Sequence, residues 1–340
     1  MTSPVNVTAI TVGLRAPAAR VRIRQYIPSL ASQGILVREY IPFFHESCGL
    51  PSPFKALSQI RGVVASRRTD LTWIGRELVR GYITFEPFLK RPCVMDVDDA
   101  IWMDRPFGWF ALPRIAHRMD AIVAGNAYLA DWFSRYCRAV HVLPTAIDLD
   151  RYCKRPDSTL YSKERFTIGW TGLASNYKFL ELIETPLLCF LNGHSNAELL
   201  LVAERPWRPK YIPAHRIRFV PWSPQTEATS LQDMSVGVMP LPDNEWTRGK
   251  CGFKMLQYMA VGIPVVVSPV GMNKEVLAKG QVGLAATTDD EWYQALETLH
   301  ADQALQVRMG DTARQVIEQH FSAAVVAGSL ASLFRSLMSK

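Results

Sequence analysis

The stretch Gly249–Gly271 reads GKCGFKMLQYMAVGIPVVVSPVG, and its reading decides the fold. Gly249 and Gly252 let a loop bend sharply and bring backbone close to a ligand. The pattern predicts a helix over Gly252–Ala260 that opens on Phe253 and Lys254. Its free N–H groups and positive dipole end would face the loop, which makes an anion site. Arg248, Lys250 and Lys254 bring three cations to the same place, a match for a diphosphate. Lys254 and Gln257 are three apart and share a helix face. Lys254 is expected on phosphate and Gln257 on a ribose hydroxyl. The run then turns through Gly262 into the strand PVVVS, Pro264–Ser268. A plainer reading of the same string is a helix–strand hairpin with surface lysines.

Working outward, strand and helix patterns alternate. Val5–Val12, a helix over Ala18–Gln33, Gly34 as a stop and Ile35–Tyr40 form a βαβ unit. Asp70–Gly75, Cys93–Val97, Asp120–Ala124 and Val140–Leu143 read as further strands, with a helix over Ala127–Tyr136. A weakly patterned stretch at Asp157–Lys163 marks a boundary. A second series follows: Phe166–Trp170, Leu199–Val202, Ile217–Val220, Val236–Met239, Pro264–Ser268 and Gly283–Ala285 as strands, then a helical tail from Asp289. The expected architecture is α/β: two Rossmann-like doubly wound domains facing a cleft, with a C-terminal helix. The expected spans are 1–160, 161–320 and 321–340, the last packing back toward the N-terminal domain.

The 340 residues suit two domains, and 48% hydrophobic against 20% charged residues excludes a disordered chain. A net charge of +7 favours anionic partners. Arg15, Arg20 and Arg22 cluster early, as an anion contact or a solvated helix face. None of the six cysteines forms a CxxC pair, so they read as reduced, buried thiols of a cytoplasmic protein. The seven histidines show no HExxH or other metal spacing, so no metal or other cofactor is expected. No RNA- or DNA-binding pattern appears, so no nucleic acid partner is expected. Apolar runs fall short of a membrane span, and the N-terminus lacks the features of a signal peptide. Phe107–Leu112 (FGWFAL) reads as a buried stretch in preference to a loop that meets a membrane face.

The string from Phe253 to Gly271 resembles the donor-binding helix and strand of retaining glycosyltransferases of family 4 and its neighbours, which have the GT-B fold. Asp96–Trp102 (DVDDAIW) resembles the D-x-D-D-A-I/L-W string of a bacterial surface-polysaccharide subgroup. Ala124–Leu129 (AGNAYL), Leu143–Asp148 (LPTAID) and Ile168–Gly172 (IGWTG) resemble further segments in the same order, and Arg20 and Arg22 match an R-x-R opening the first helix. The resemblance implies sugar transfer from a nucleotide-diphosphate sugar to a glycan or polyprenyl-linked acceptor, without a metal. It implies donor contacts at Gly172, Arg248, Gly249, Lys250, Gly252, Phe253, Lys254 and Gln257. Catalytic roles fall on Lys178, Lys254 and Asp98, and acceptor contacts on Asp99, Arg15, Arg20 and Arg22. Asp98 or Asp99 is alternatively an N-cap.

The match departs at four positions. Gly249 and Gln257 stand where the family carries a pair of glutamates, Gly172 where it carries an arginine, and Asp98 where many members carry a histidine. Glu245 is a nearby substitute for the sugar-contacting carboxylate. Two other readings stay open: a GT-B sugar-nucleotide epimerase, and a nucleotide-sugar-binding assembly subunit without catalysis.

Overall fold

The computed structural model describes residues 4–14, 16–44, 52–156 and 165–339. Apolar runs buried on both faces form its inner strands, as a parallel sheet covered by helices requires. Strands β1 (Val5–Ile10), β2 (Ile35–Tyr40), β3 (Leu71–Gly75), β4 (Cys93–Val97), β5 (Ala121–Ala124) and β6 (Val140–Val142) make one parallel sheet in the order β2-β1-β3-β4-β5-β6. Its register sets Val7 beside both Val37 and Leu71. Strands β7 (Phe166–Thr171), β8 (Ala197–Ala203), β9 (Ile217–Pro221), β10 (Val236–Met239), β11 (Val265–Val267) and β12 (Gly283–Ala285) make a second, in the order β12-β11-β10-β7-β8-β9. Strand order reverses between β1 and β3 in the first sheet and between β7 and β10 in the second. Open parallel sheets bind ligands outside the carboxyl ends of strands at such reversals.

The chain divides into two units. The first holds Met1–Ala146, Arg248–Cys251 and Ala323–Lys340; the second holds Ile147–Thr247 and Gly252–Ser322. The division thus falls at Ala146, and the expected linker Asp157–Lys163 lies outside the described residues. Arg248–Cys251, expected with the donor domain, counts with the first unit.

In the first unit the helix Ala323–Met338 lays Val326, Ala327, Leu330 and Phe334 on the core formed with Val7, Trp73 and Val94. Phe334 and Trp73 meet edge to face at 5.3 Å. Burying each such large side chain contributes about 1.5–3 kcal/mol. In the second unit Leu256, Tyr258 and Met259 pack with Val265 and Val267, while Leu187, Phe190, Trp292 and Leu296 pack with Ile168 and Leu199.

Several local expectations change. The span Ala18–Gln33 is helical but broken: a π turn over Ala19–Ile23, a 3-10 turn over Arg24–Tyr26, then an α-helix over Ile27–Ala31. Pro28 lacks the N–H that one continuous α-helix would need. The stretch at Phe107 is neither a loop nor simply buried. Gly108–Ala116 is an amphipathic helix that buries Ala111 and Leu112 and leaves Trp109 69% exposed, with Phe107 and Phe110 also exposed. Cys93, Cys137 and Cys251 are buried thiols, but Cys153 and Cys189 are exposed; Cys48 lies outside the described residues. Cys189 sits on the outer side of a helix whose Leu187 and Phe190 face the sheet. Among the described residues no helix is long and apolar enough to cross a membrane.

Candidate functional site

In the second unit the site grows from the end of β7. Gly172, with φ +153°, follows Thr171, and a Cβ there would lie 2.5 Å from Lys254 Cε and 2.6 Å from Lys254 Nζ. The ammonium therefore occupies the volume a side chain at 172 would take. It also stands 4.1 Å from the centroid of the buried Trp170 ring, a cation–π contact. Lys254 thus takes the space of the side chain that Gly172 lacks.

Lys254 lies in the first turn of the helix Phe253–Ala260, which starts after Gly252 at φ +65° with no side chain capping it. Its leading N–H groups have no partner within the helix. Phe253 anchors this end by packing against the core. Beside Gly252 lie Met272 and Asn273 of the next helix, Met272–Leu277. Asn273 is buried; its Nδ2 donates to Ser268 O at 3.1 Å, while its Oδ1 has no hydrogen-bond partner. A buried acceptor left unpaired is costly, so a ligand donor is the natural complement. Sequence reasoning passed over Asn273, although it lies two positions after Gly271.

Gln257 is placed differently from expectation. It is 2% exposed and donates to Tyr152 Oη at 2.7 Å and Glu227 Oε1 at 3.0 Å. Glu227 is buried and paired with Arg151 at 2.6 Å. The amide nitrogen expected on a ribose is committed to this internal network, because a buried carboxylate needs donors. Lys178 is exposed, its ammonium 5.2 Å from the Phe179 ring. Glu245 is exposed at the start of the short helix Glu245–Arg248.

In the first unit a second cluster forms at the carboxyl ends of β3 and β4. Gly249 lies flat on the turn after β4: a Cβ there would come within 2.8 Å of Ala100 Cβ and 2.9 Å of its N. Cys251 Sγ donates to Asp98 O at 3.1 Å and fills the space where Gly125 has no Cβ. Asn126 fastens the segment. Its Oδ1 caps the helix Ala127–Ser134 by accepting from Leu129 N at 2.9 Å, and its Nδ2 donates to Arg248 O and Lys250 O, each at 3.1 Å. Arg248 itself is exposed.

Lys250 Nζ stands 3.8 Å from Asp99 Oδ1. Desolvation and the neighbouring Asp98 lift Asp99 to about 6, against the pull of Lys250 and Arg76. Asp98 and Asp99 are half-buried, and neither caps the short helix Ile101–Met103, whose cap position is Ala100. Arg76, a residue the sequence did not single out, follows β3 in a left-handed conformation at φ +68°. It pairs with Glu77 at 2.9 Å and with Asp104, which Arg80 also meets at 2.5 Å. A positive φ on a non-glycine residue at a strand's carboxyl end is the kind of strain that gathers at sites.

The early arginines separate. Arg22, expected at the acceptor, is a core residue: its Nε donates to Asp96 Oδ1 at 2.7 Å and its Nη1 to Leu143 O at 2.9 Å. Burial opposes its charge, but Asp96 beside it keeps the guanidinium protonated. Burial lifts Asp96 to about 6 even with Arg22 in contact. Arg20 is half-buried, and Arg15 lies outside the described residues.

Residues 165–302 match the family model described as "Glycosyl transferases group 1". No curated protein matches the chain. Similar solved structures include sucrose-phosphate synthase from Thermosynechococcus elongatus, at 15% identity and TM-score 0.74, over 98% of this chain and 99% of that one. Anabaena HepE, in complex with UDP and glucose, is similar at 14% identity and TM-score 0.70, over 98% and 100%. WaaG, a glycosyltransferase involved in lipopolysaccharide biosynthesis, is similar at 11% identity and TM-score 0.65, over 97% and 99%. The parallel six-stranded sheets are those of the GT-B fold, and on it the chain carries a glycosyltransferase domain.

Proposed function

We propose that the chain transfers a sugar, with retention of configuration, from a nucleoside-diphosphate sugar to a glycan or polyprenyl-linked acceptor in surface-polysaccharide assembly, in the cytoplasm. The observation that carries this reading is Lys254 seated over Gly172 at the end of β7, beside an uncapped helix N-terminus. Departure of a nucleoside diphosphate builds negative charge on phosphate. A preorganised ammonium and helix amides stabilise that charge more in the transition state than in the ground state. This chemistry asks for no divalent metal. HepE, whose structure holds UDP and glucose, and WaaG, of lipopolysaccharide biosynthesis, support the donor class and the setting.

In this reading Lys254 and the first-turn amides of Phe253–Ala260 hold the diphosphate, Asn273 accepts from the nucleotide, and Lys178 adds positive charge. The leaving phosphate takes the acceptor's proton on the face it departs from. Asp98 and Asp99 orient the acceptor hydroxyl, with Lys250, Arg20 and Arg76 for an acceptor's anionic groups. The exposed Trp109, Phe107 and Phe110, with Arg114 stacked 3.6 Å over Phe110, favour a lipid-linked acceptor met at an anionic membrane face.

The test is nucleotide release from a panel of UDP-, GDP-, TDP- and ADP-sugars, with and without polyprenyl-linked acceptors. Acceptor-dependent release is expected for one donor, unchanged by added Mg2+ or Mn2+. A second reading, a nucleotide-sugar-binding subunit without catalysis, draws on Gly249 and Gln257, which supply no carboxylate to a donor sugar. Binding without release under every acceptor would favour it.

A further inference from the structure

We infer that His194, Glu297 and His300 form a binding site for a divalent transition metal ion of the zinc type in the second unit. Two imidazoles and one carboxylate converge there, with ligand atoms all within 4.8 Å of one another. Glu297 and His300 are three apart on the helix Asp289–Ala301, so both project from one face. His194 ends the neighbouring helix Glu184–Gly193 and reaches the same point. His194 Nε2 and Glu297 Oε1 are 2.6 Å apart, and the two imidazole rings pack at 4.1 Å.

The donor set is what zinc selects: borderline nitrogen ligands plus one carboxylate, with a fourth position left to water. Nitrogen and oxygen ligands about 2.0–2.1 Å from zinc in a tetrahedron stand about 3.3 Å from one another. The present spacings, from 2.6 Å for the His194–Glu297 pair to no more than 4.8 Å, bracket that value. The ion takes the place of the proton that His194 and Glu297 share, and the proton passes to solvent.

Outer partners that such ligands need are in place. Asn196 Oδ1 lies 3.3 Å from His300 Nε2, and the Tyr293 hydroxyl bonds Glu297. The groups are half-buried, which keeps an entry path for the ion.

The site is structural rather than catalytic. It sits at the amino ends of β7 and β8: His300 packs edge to face on Phe166 at 5.1 Å, and Ala197 N donates to His194 O at 3.1 Å. The nucleotide-binding features occupy the carboxyl end of the same sheet. A bound ion clips the helix Asp289–Ala301 to the helix Glu184–Gly193.

The test uses the full chain, freed of metal by chelator, titrated with zinc chloride by calorimetry and followed by thermal melting. One equivalent bound with a raised Tm is expected. His300→Gln leaves the His194–Glu297 pair intact and so separates metal binding from folding; it should bind zinc at least about 10-fold more weakly. Glu297→Gln should do the same. Cobalt in place of zinc should show no sulfur-to-metal charge-transfer band, which excludes the exposed Cys153 and Cys189 as ligands. Absence of zinc stabilisation in the parent chain, or unchanged zinc affinity in both variants, overturns the inference and leaves a plain histidine–glutamate ion pair.

Discussion

Lys254 and a side chain at Gly172 exclude one another, because a Cβ at 172 would lie 2.6 Å from the ammonium nitrogen. The two nearest contacts are to the far end of a flexible side chain; the third, Trp170 Cη2 at 3.1 Å, and the φ of +153° cost some stability, so Gly172→Ala should fold less stably and displace the lysine. We expect Gly172→Ala and Lys254→Ala each to lower turnover on the order of 100-fold, as loss of one preorganised charge does. The double variant should lose little more than either single one, because both remove the same cation. Steady-state kinetics of the four proteins measure the coupling, and simple additivity would show that the glycine has a separate role.

Gly249 faces backbone and Cβ of Ala100 rather than a movable side-chain tip. Gly249→Ala should therefore lower stability by about 1–3 kcal/mol, the range for overpacking a close contact. Restoring the glutamate of the resembling family, Gly249→Glu, should cost at least as much and give no gain in transfer. Chemical denaturation measures the first, and a more active glutamate variant would refute the second.

Gln257→Glu would place a second carboxylate against the buried Glu227 and remove the donor to both Glu227 and Tyr152. A cost of about 3 kcal/mol at neutral pH is expected. The sign with pH follows from linkage. The new carboxyl's folded pKa is raised above its unfolded value, so its favourable contribution is present at acid pH and lost as pH rises through the folded pKa. Relative to the parent chain the variant should recover stability as pH falls. A pH-independent deficit would count against the shared network.

Asp99 titrates near 6, lifted by desolvation and Asp98. If its carboxylate orients the acceptor, kcat/KM should rise with pH across about 6, and Asp99→Asn should be slow and flat there. Asp96 also lies at about 6, but inside the core beside Arg22. A limb that persists unchanged in Asp99→Asn would assign the titration to Asp96 instead. The stability change has its own direction: raised folded pKa values make both groups more favourable below about 4 and less so above 6.

Much of the fold could be read from the sequence because its strands are short apolar runs punctuated by glycine and proline. The strands Ile35–Tyr40 and Cys93–Val97 carry the same ends in sequence and structure. The helix at Gly108 could not be read that way, because Pro113 inside it and an aromatic run at its start mask the period. Site legibility followed sequence distance. The proximity of Lys254 and Gly172 spans three strands of intervening chain, and Gln257 turned inward because of Glu227, a partner no local pattern identifies. Asn126 stood in the sequence only within the string Ala124–Leu129, and its grip on Arg248 and Lys250 is set by tertiary structure alone. The metal cluster hid for the same reason: Glu297 and His300 have helical spacing, while His194 stands 103 positions from Glu297.

The seat of Gly249 on Ala100 also limits what position 249 can hold. Any side chain placed there must first lift the whole segment from its bed. Cys251, lodged in the hollow left by Gly125, deepens the bed further. The position is thereby closed to single substitutions that leave the backbone where it is.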